Sequence, residues 1–104
     1  MGMATTTQPI SRRAVRIYLK MPVAICVDSD RSRVHHRAST IDLSSHGARV
    51  RTNAGLVSGQ GVTIIADRIG RRSIPSRVAW VGPVGSRLEG LAGIEFLHPI
   101  SVPS

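Results

Sequence analysis

Ile17-Tyr18-Leu19-Lys20-Met21-Pro22-Val23-Ala24-Ile25-Cys26-Val27 places an apolar side chain at every odd position of the stretch. A period of two is that of an extended chain, whose successive side chains point to opposite faces, so these residues read as one strand with a buried face. Pro22 has no amide hydrogen to give a ladder and belongs at an edge or a bulge. Asp28-Ser29-Asp30 closes the strand with turn-forming side chains.

The pattern recurs along the chain. Val34 to Leu43 reads as a second strand whose uneven alternation one bulge would reconcile, and Ala48 and Val50 alternate with Arg49 and Arg51 in a third. The run from Asn53 to Gly61 marks a loop. Val62 to Ala66 reads as a buried strand, and Asp67 to Gly70 as its turn. Ile74 to Val81 alternates again, with Ile74, Val78 and Trp80 expected on one face; Pro83 to Gly90 is a further turn, and Leu91 to Leu97 the last strand. Six short strands without a sustained helical period predict an all-β fold, a six-stranded antiparallel, Greek-key-like β-barrel that leaves no open edge. Residues 1–11 have no apolar period and are expected to form a flexible N-terminal tail, with the barrel over 12–98 and a short C-terminal tail over 99–104.

At 104 residues the chain is one domain, which excludes a multi-domain enzyme. Its 41% hydrophobic residues include one Trp, one Tyr and one Phe, so aliphatic side chains must fill the core and an extended aromatic platform for stacked bases is not expected. Fourteen basic residues against six acidic ones leave a formal charge of +8, and all of the basic residues but Lys20 are arginine. The planar guanidinium pairs bidentately with phosphate, so a phosphate-bearing partner is the leading expectation. Cys26 is the lone cysteine and cannot form an internal disulfide, and no stretch approaches the length of a membrane span. A cytoplasmic domain without membrane insertion is expected.

Two clusters carry candidate chemistry. Arg12-Arg13-Ala14-Val15-Arg16 puts three guanidinium groups where the tail meets the first strand. Asp42-Leu43-Ser44-Ser45-His46-Gly47 puts an acid, a hydroxyl and a glycine in a short connection between strands. Asp, Ser and Gly are ordinary turn formers. The same residues also suit a guanine nucleotide: a carboxylate accepts from the adjacent N–H groups of guanine's Watson–Crick edge, a hydroxyl bonds base or phosphate, and a glycine lets a ligand approach the backbone.

The spacing RxxxR at Arg12 and Arg16, followed by DxSxxG at Asp42, Ser44 and Gly47, resembles the PilZ domain family. The likeness continues through Val78-Ala79-Trp80-Val81 and Ala92-Gly93-Ile94-Glu95-Phe96, and so covers roughly residues 12 to 97. The resemblance implies a six-stranded β-barrel that binds cyclic di-GMP, often as a stacked pair of molecules. It implies that Arg12, Arg13 and Arg16 clamp phosphates and stack on guanines, that Asp42, Ser44 and Gly47 form the barrel-side rim, and that Trp80 lies near a base. Many relatives end in a helix against the barrel, which Pro99 and Pro103 oppose here.

Asp42, Ser44 and His46 hold the residue types of a nucleophilic triad, but as neighbours on one turn they are not expected to converge, and no catalytic residue is assigned. Cys26 and the histidines at 35, 36, 46 and 98 lack a ligand-spacing pair, so neither a metal nor a cofactor is expected. The expected partners are cyclic di-GMP and a protein that reads the ligand-altered surface. The alternative is a small basic β-barrel that binds nucleic acid through its charge.

Overall fold

The computed structural model describes residues 15–32, 34–67 and 72–102. Seven strands follow one another: β1 (Ile17–Tyr18), β2 (Pro22–Val27), β3 (His36–Leu43), β4 (Gly47–Thr52), β5 (Gly61–Ala66), β6 (Arg72–Val81) and β7 (Leu91–Phe96). The sheet runs β1-β3-β2-β5-β6-β7-β4, every pairing is antiparallel, and β4 pairs back onto β3 to close six strands into a barrel with β1 as an extra strand on β3. Among the described residues there is no helix. The all-β barrel expected from the period-two pattern is the observed fold.

Its interior is aliphatic, as the scarcity of aromatic residues requires. Met21, Val23, Ile25, Leu43, Val50, Val62, Ile64, Ile74, Val78 and Ile94 are all buried, and Phe96 is the one aromatic side chain among them. Removing each such side chain from water contributes about 1.5–3 kcal/mol.

Three irregularities decide which side chains leave this interior. The first divides the stretch expected as one strand over 17–27. Ile17 pairs with Leu43 and Tyr18 with Asp42, whereas Pro22 pairs with Ser39, so the register against β3 slips by one residue between β1 and β2. Buried Thr40 fills the slip: its amide donates to the Met21 carbonyl at 2.9 Å, while its hydroxyl accepts from the Met21 amide at 3.0 Å and donates to the Leu19 carbonyl. Pro22 sits at this break, before the β2–β5 pairing begins at Ala24, where its missing N–H interrupts no ladder.

The second is the bulge expected in β3. Thr40 pairs with Val50 and Asp42 with Arg49, leaving Ile41 as the extra residue. Were Ile41 paired in regular alternation, Asp42, two positions after Thr40, would share its inner face; with the bulge Asp42 lies on the outer face opposite Arg49, and Leu43 returns to the core. The third, a bulge at Ala79 in β6, corrects an expectation. Val78 pairs with Ile94 but Trp80 pairs with Gly93, so the alternation that buries Ile74, Ser76 and Val78 changes parity and Trp80 does not share their face. Its indole lies over the backbone of Gly93, where a Cβ would come within 2.1 Å of Nε1.

The segment after β7, expected as a tail, is tied to the barrel in its described part. The Ile100 amide donates to the Ser45 carbonyl at 2.9 Å, and Ile100 and Val102 pack against the core.

Candidate functional site

The β3–β4 hairpin explains the DxSxxG spacing residue by residue. Ser44 is buried and holds the turn: its amide donates to the Gly47 carbonyl at 2.8 Å, and its hydroxyl accepts from the His46 amide at 3.2 Å and points back to the same carbonyl at 3.4 Å. Gly47 is needed because β7 passes against it, and a Cβ there would lie 2.2 Å from the Ile94 carbonyl oxygen. Its φ is not positive, so the requirement is one of close approach rather than of turn conformation, and the space it yields is filled by the protein's own backbone.

Asp42 has no solvent-exposed surface, yet it lies on the outer face, because two arginines cover it. Arg16, at the entry to β1, pairs with Oδ1. Arg49, its neighbour across the hairpin, donates from Nε to Oδ2 at 2.7 Å with NH2 2.6 Å from the same oxygen, and its amide lies 3.3 Å from Oδ1. Burial acts to raise the Asp42 pKa, but hydrogen bonds from Arg49 and then Arg16, together with their charges, outweigh it and hold the carboxyl below its usual value. Arg49 is correspondingly raised, first by its hydrogen bond to Asp42 and then by that residue's charge. The arginine side chains remain 47% and 39% exposed, so the carboxylate is enclosed while both cations keep faces free for another anion.

Beside this ion triplet lies an open groove of about 300 Å³ lined by Arg16, Ser44, Gly47, Arg49, Trp80 and Gly93 among others. Glu95 is the acid on its rim and is paired with Arg77. A larger cavity of about 420 Å³, bounded by Cys26, Asp28, Asp30 and His35, presents carboxylates and is the poorer place for a phosphate. The structure thus brings together Arg16, Asp42, Ser44, Gly47 and Trp80 of the sequence-based candidates. Arg12 and Arg13 lie outside the described residues.

Arg49 was not among those candidates. Its outward position was legible from the alternation of Ala48 and Val50, but the residue it meets is set by the bulge at Ile41. Asp42 is already held by two guanidinium groups and the Ser44 hydroxyl is engaged within its own turn, so the triad residue types at 42, 44 and 46 are not assembled into a nucleophilic relay. Among the described residues no group of three or more His, Cys, Asp or Glu side chains is placed to hold a metal ion, and no helix is long and apolar enough to cross a membrane.

A closed antiparallel barrel carrying an arginine-covered carboxylate beside an open groove presents two partly exposed guanidinium groups on its outer face. The chain belongs to the PilZ domain family, whose model matches residues 10–104. PilZ domains are a cyclic di-GMP-binding family, receptors rather than catalysts. No curated protein matches the chain.

Proposed function

We propose that this chain is a cytoplasmic cyclic di-GMP receptor that signals through a ligand-altered surface to a protein partner. The observation that carries the reading is the convergence of Arg16 and Arg49 on buried Asp42 at the edge of the groove that holds Trp80. Arg16 pairs with Oδ1 and Arg49 with Oδ2. A phosphodiester competes for Arg16, the more exposed of the two cations, and draws it from Oδ1. That oxygen is then open to the N1 and N2 donors of guanine, while Arg49 keeps the carboxylate ionised and in place. Arg12 and Arg13, in the residues that precede, add phosphate contacts in this reading.

Ser44 and Gly47 act through the hairpin, by holding Asp42 and Arg49 opposite each other. Calorimetric titration of the protein with cyclic di-GMP, with GTP and the linear dinucleotide as controls, tests the proposal. Saturable binding of the cyclic ligand in preference to both controls is expected; equal weak binding of all three would leave only a basic surface.

A further inference from the structure

The pairing registers place five residues in one lateral row across the outer face: Tyr18 in β1, Asp42 in β3, Arg49 in β4, Gly93 in β7 and Trp80 in β6. Phe96 is in the core, so both of the chain's remaining aromatic side chains stand in this row, at its two ends. Four interstrand steps of about 4.8 Å separate them, roughly 19 Å along the surface, too far for one base to touch both. Tyr18 is one step from Asp42, whereas Trp80 is three steps away on the far side of Arg49.

Tyr18 is 81% exposed and adds nothing to the core. Arg16 precedes it by two positions, the spacing that keeps side chains on one face of an extended chain. The register sets Tyr18 opposite Asp42 and Asp42 opposite Arg49, so ring and guanidinium stand on the same side of the sheet. An aromatic face set among cations, beside a carboxylate suited to guanine, is a surface for a flat, electron-rich heterocycle. The groove on the Trp80 side, at about 300 Å³, is at the lower limit for small-molecule sites and takes one half of a cyclic dinucleotide rather than the whole.

We propose that Tyr18 is the platform for a second guanine ring, on the flank of Asp42 opposite the Trp80 groove. The inference rests on the cyclic di-GMP reading and adds to it a binding residue and a direction, with the ligand lying across the Asp42–Arg49 pair instead of inside the groove alone. The second ring comes from the other half of the same dinucleotide or from a second molecule, and the stoichiometry at saturation tells which.

The test is calorimetric titration with cyclic di-GMP of wild type, Tyr18→Ala, Tyr18→Phe and Arg16→Ala, with NMR of the ring protons of the sole tyrosine. Tyr18→Ala is expected to bind about tenfold or more weakly, in line with loss of one base-stacking contact. Tyr18→Phe is expected to restore the affinity, since the ring and not the hydroxyl makes the contact. The tyrosine ring protons should move upfield on saturation. Wild-type affinity in Tyr18→Ala, or unmoved ring protons, alongside weakened binding in Arg16→Ala, overturns the platform and leaves the receptor reading standing. No binding of cyclic di-GMP by wild type overturns both.

Discussion

Replacing Asp42 by Asn tests whether the carboxylate is the pin that holds the site together. The substitution keeps the shape but removes the charge, and it turns an amide NH2 toward guanidinium donors, so Arg16 and Arg49 each lose an ionic acceptor. Hydrogen bonds to a charged group contribute about 1.5–3 kcal/mol when buried, and exposed ion pairs about 0.2–1. Asp42 is fully buried, but its partners are 47% and 39% exposed and can return to water, so the pair of contacts together is worth about 2 kcal/mol. For a domain of this size that lowers the melting temperature by roughly 10 °C.

The pH dependence carries a sign. The folded-state pKa of Asp42 is depressed, so its contribution is present above the unfolded value of about 3.9 and fades as pH falls through the lower folded value. Urea denaturation of both proteins at pH 7 and at successive steps toward pH 2 should therefore show a gap that is widest near neutrality and narrows in acid. The other carboxylates titrate alike in both proteins and cancel. An absent gap at pH 7, or one of unchanged size in acid, would refute the assignment of Asp42 as the ionised centre of the triplet.

Arg12→Ala and Arg16→Ala should each weaken cyclic di-GMP binding by at least about tenfold in calorimetry, by loss of charge-assisted bonds. Arg16→Ala should cost less than about 1 kcal/mol of stability, because Arg49 stays on Asp42. Cyclic di-AMP should bind far more weakly than cyclic di-GMP in the same assay, since adenine offers an acceptor at N1 where guanine offers a donor. Gly47→Ala should destabilise the barrel by about 2 kcal/mol or more in urea denaturation, whereas Gly55→Ala, where a Cβ meets nothing within 4 Å, is the control that should unfold like wild type.

The barrel was legible because its strands alternate over runs long enough to carry a period. Met21, Val23 and Ile25 are buried as the pattern of the first strand requires, and Ala48 and Val50 turn inward from the third. The uneven alternation of Val34 to Leu43 announced the bulge in β3, but the other two interruptions left no such mark. The slip at Thr40 that divides β1 from β2 depends on a hydroxyl reaching two backbone groups of another strand, a long-range contact with no local mark. The bulge at Ala79 is equally silent: Val78-Ala79-Trp80 reads as plain alternation, and only the pairing with Gly93, whose missing side chain accommodates the indole, shows that Trp80 has changed face.

The same interruptions make the site. The barrel's interior is filled by buried, mostly aliphatic side chains, so the proposed recognition lies on the outer face, and a side chain reaches that face by parity. The extra residue at Ile41 turns Asp42 outward, and the extra residue at Ala79 turns Trp80 outward. The motif letters record residue types, but the function proposed for them depends on two insertions in the pairing that the motif does not contain.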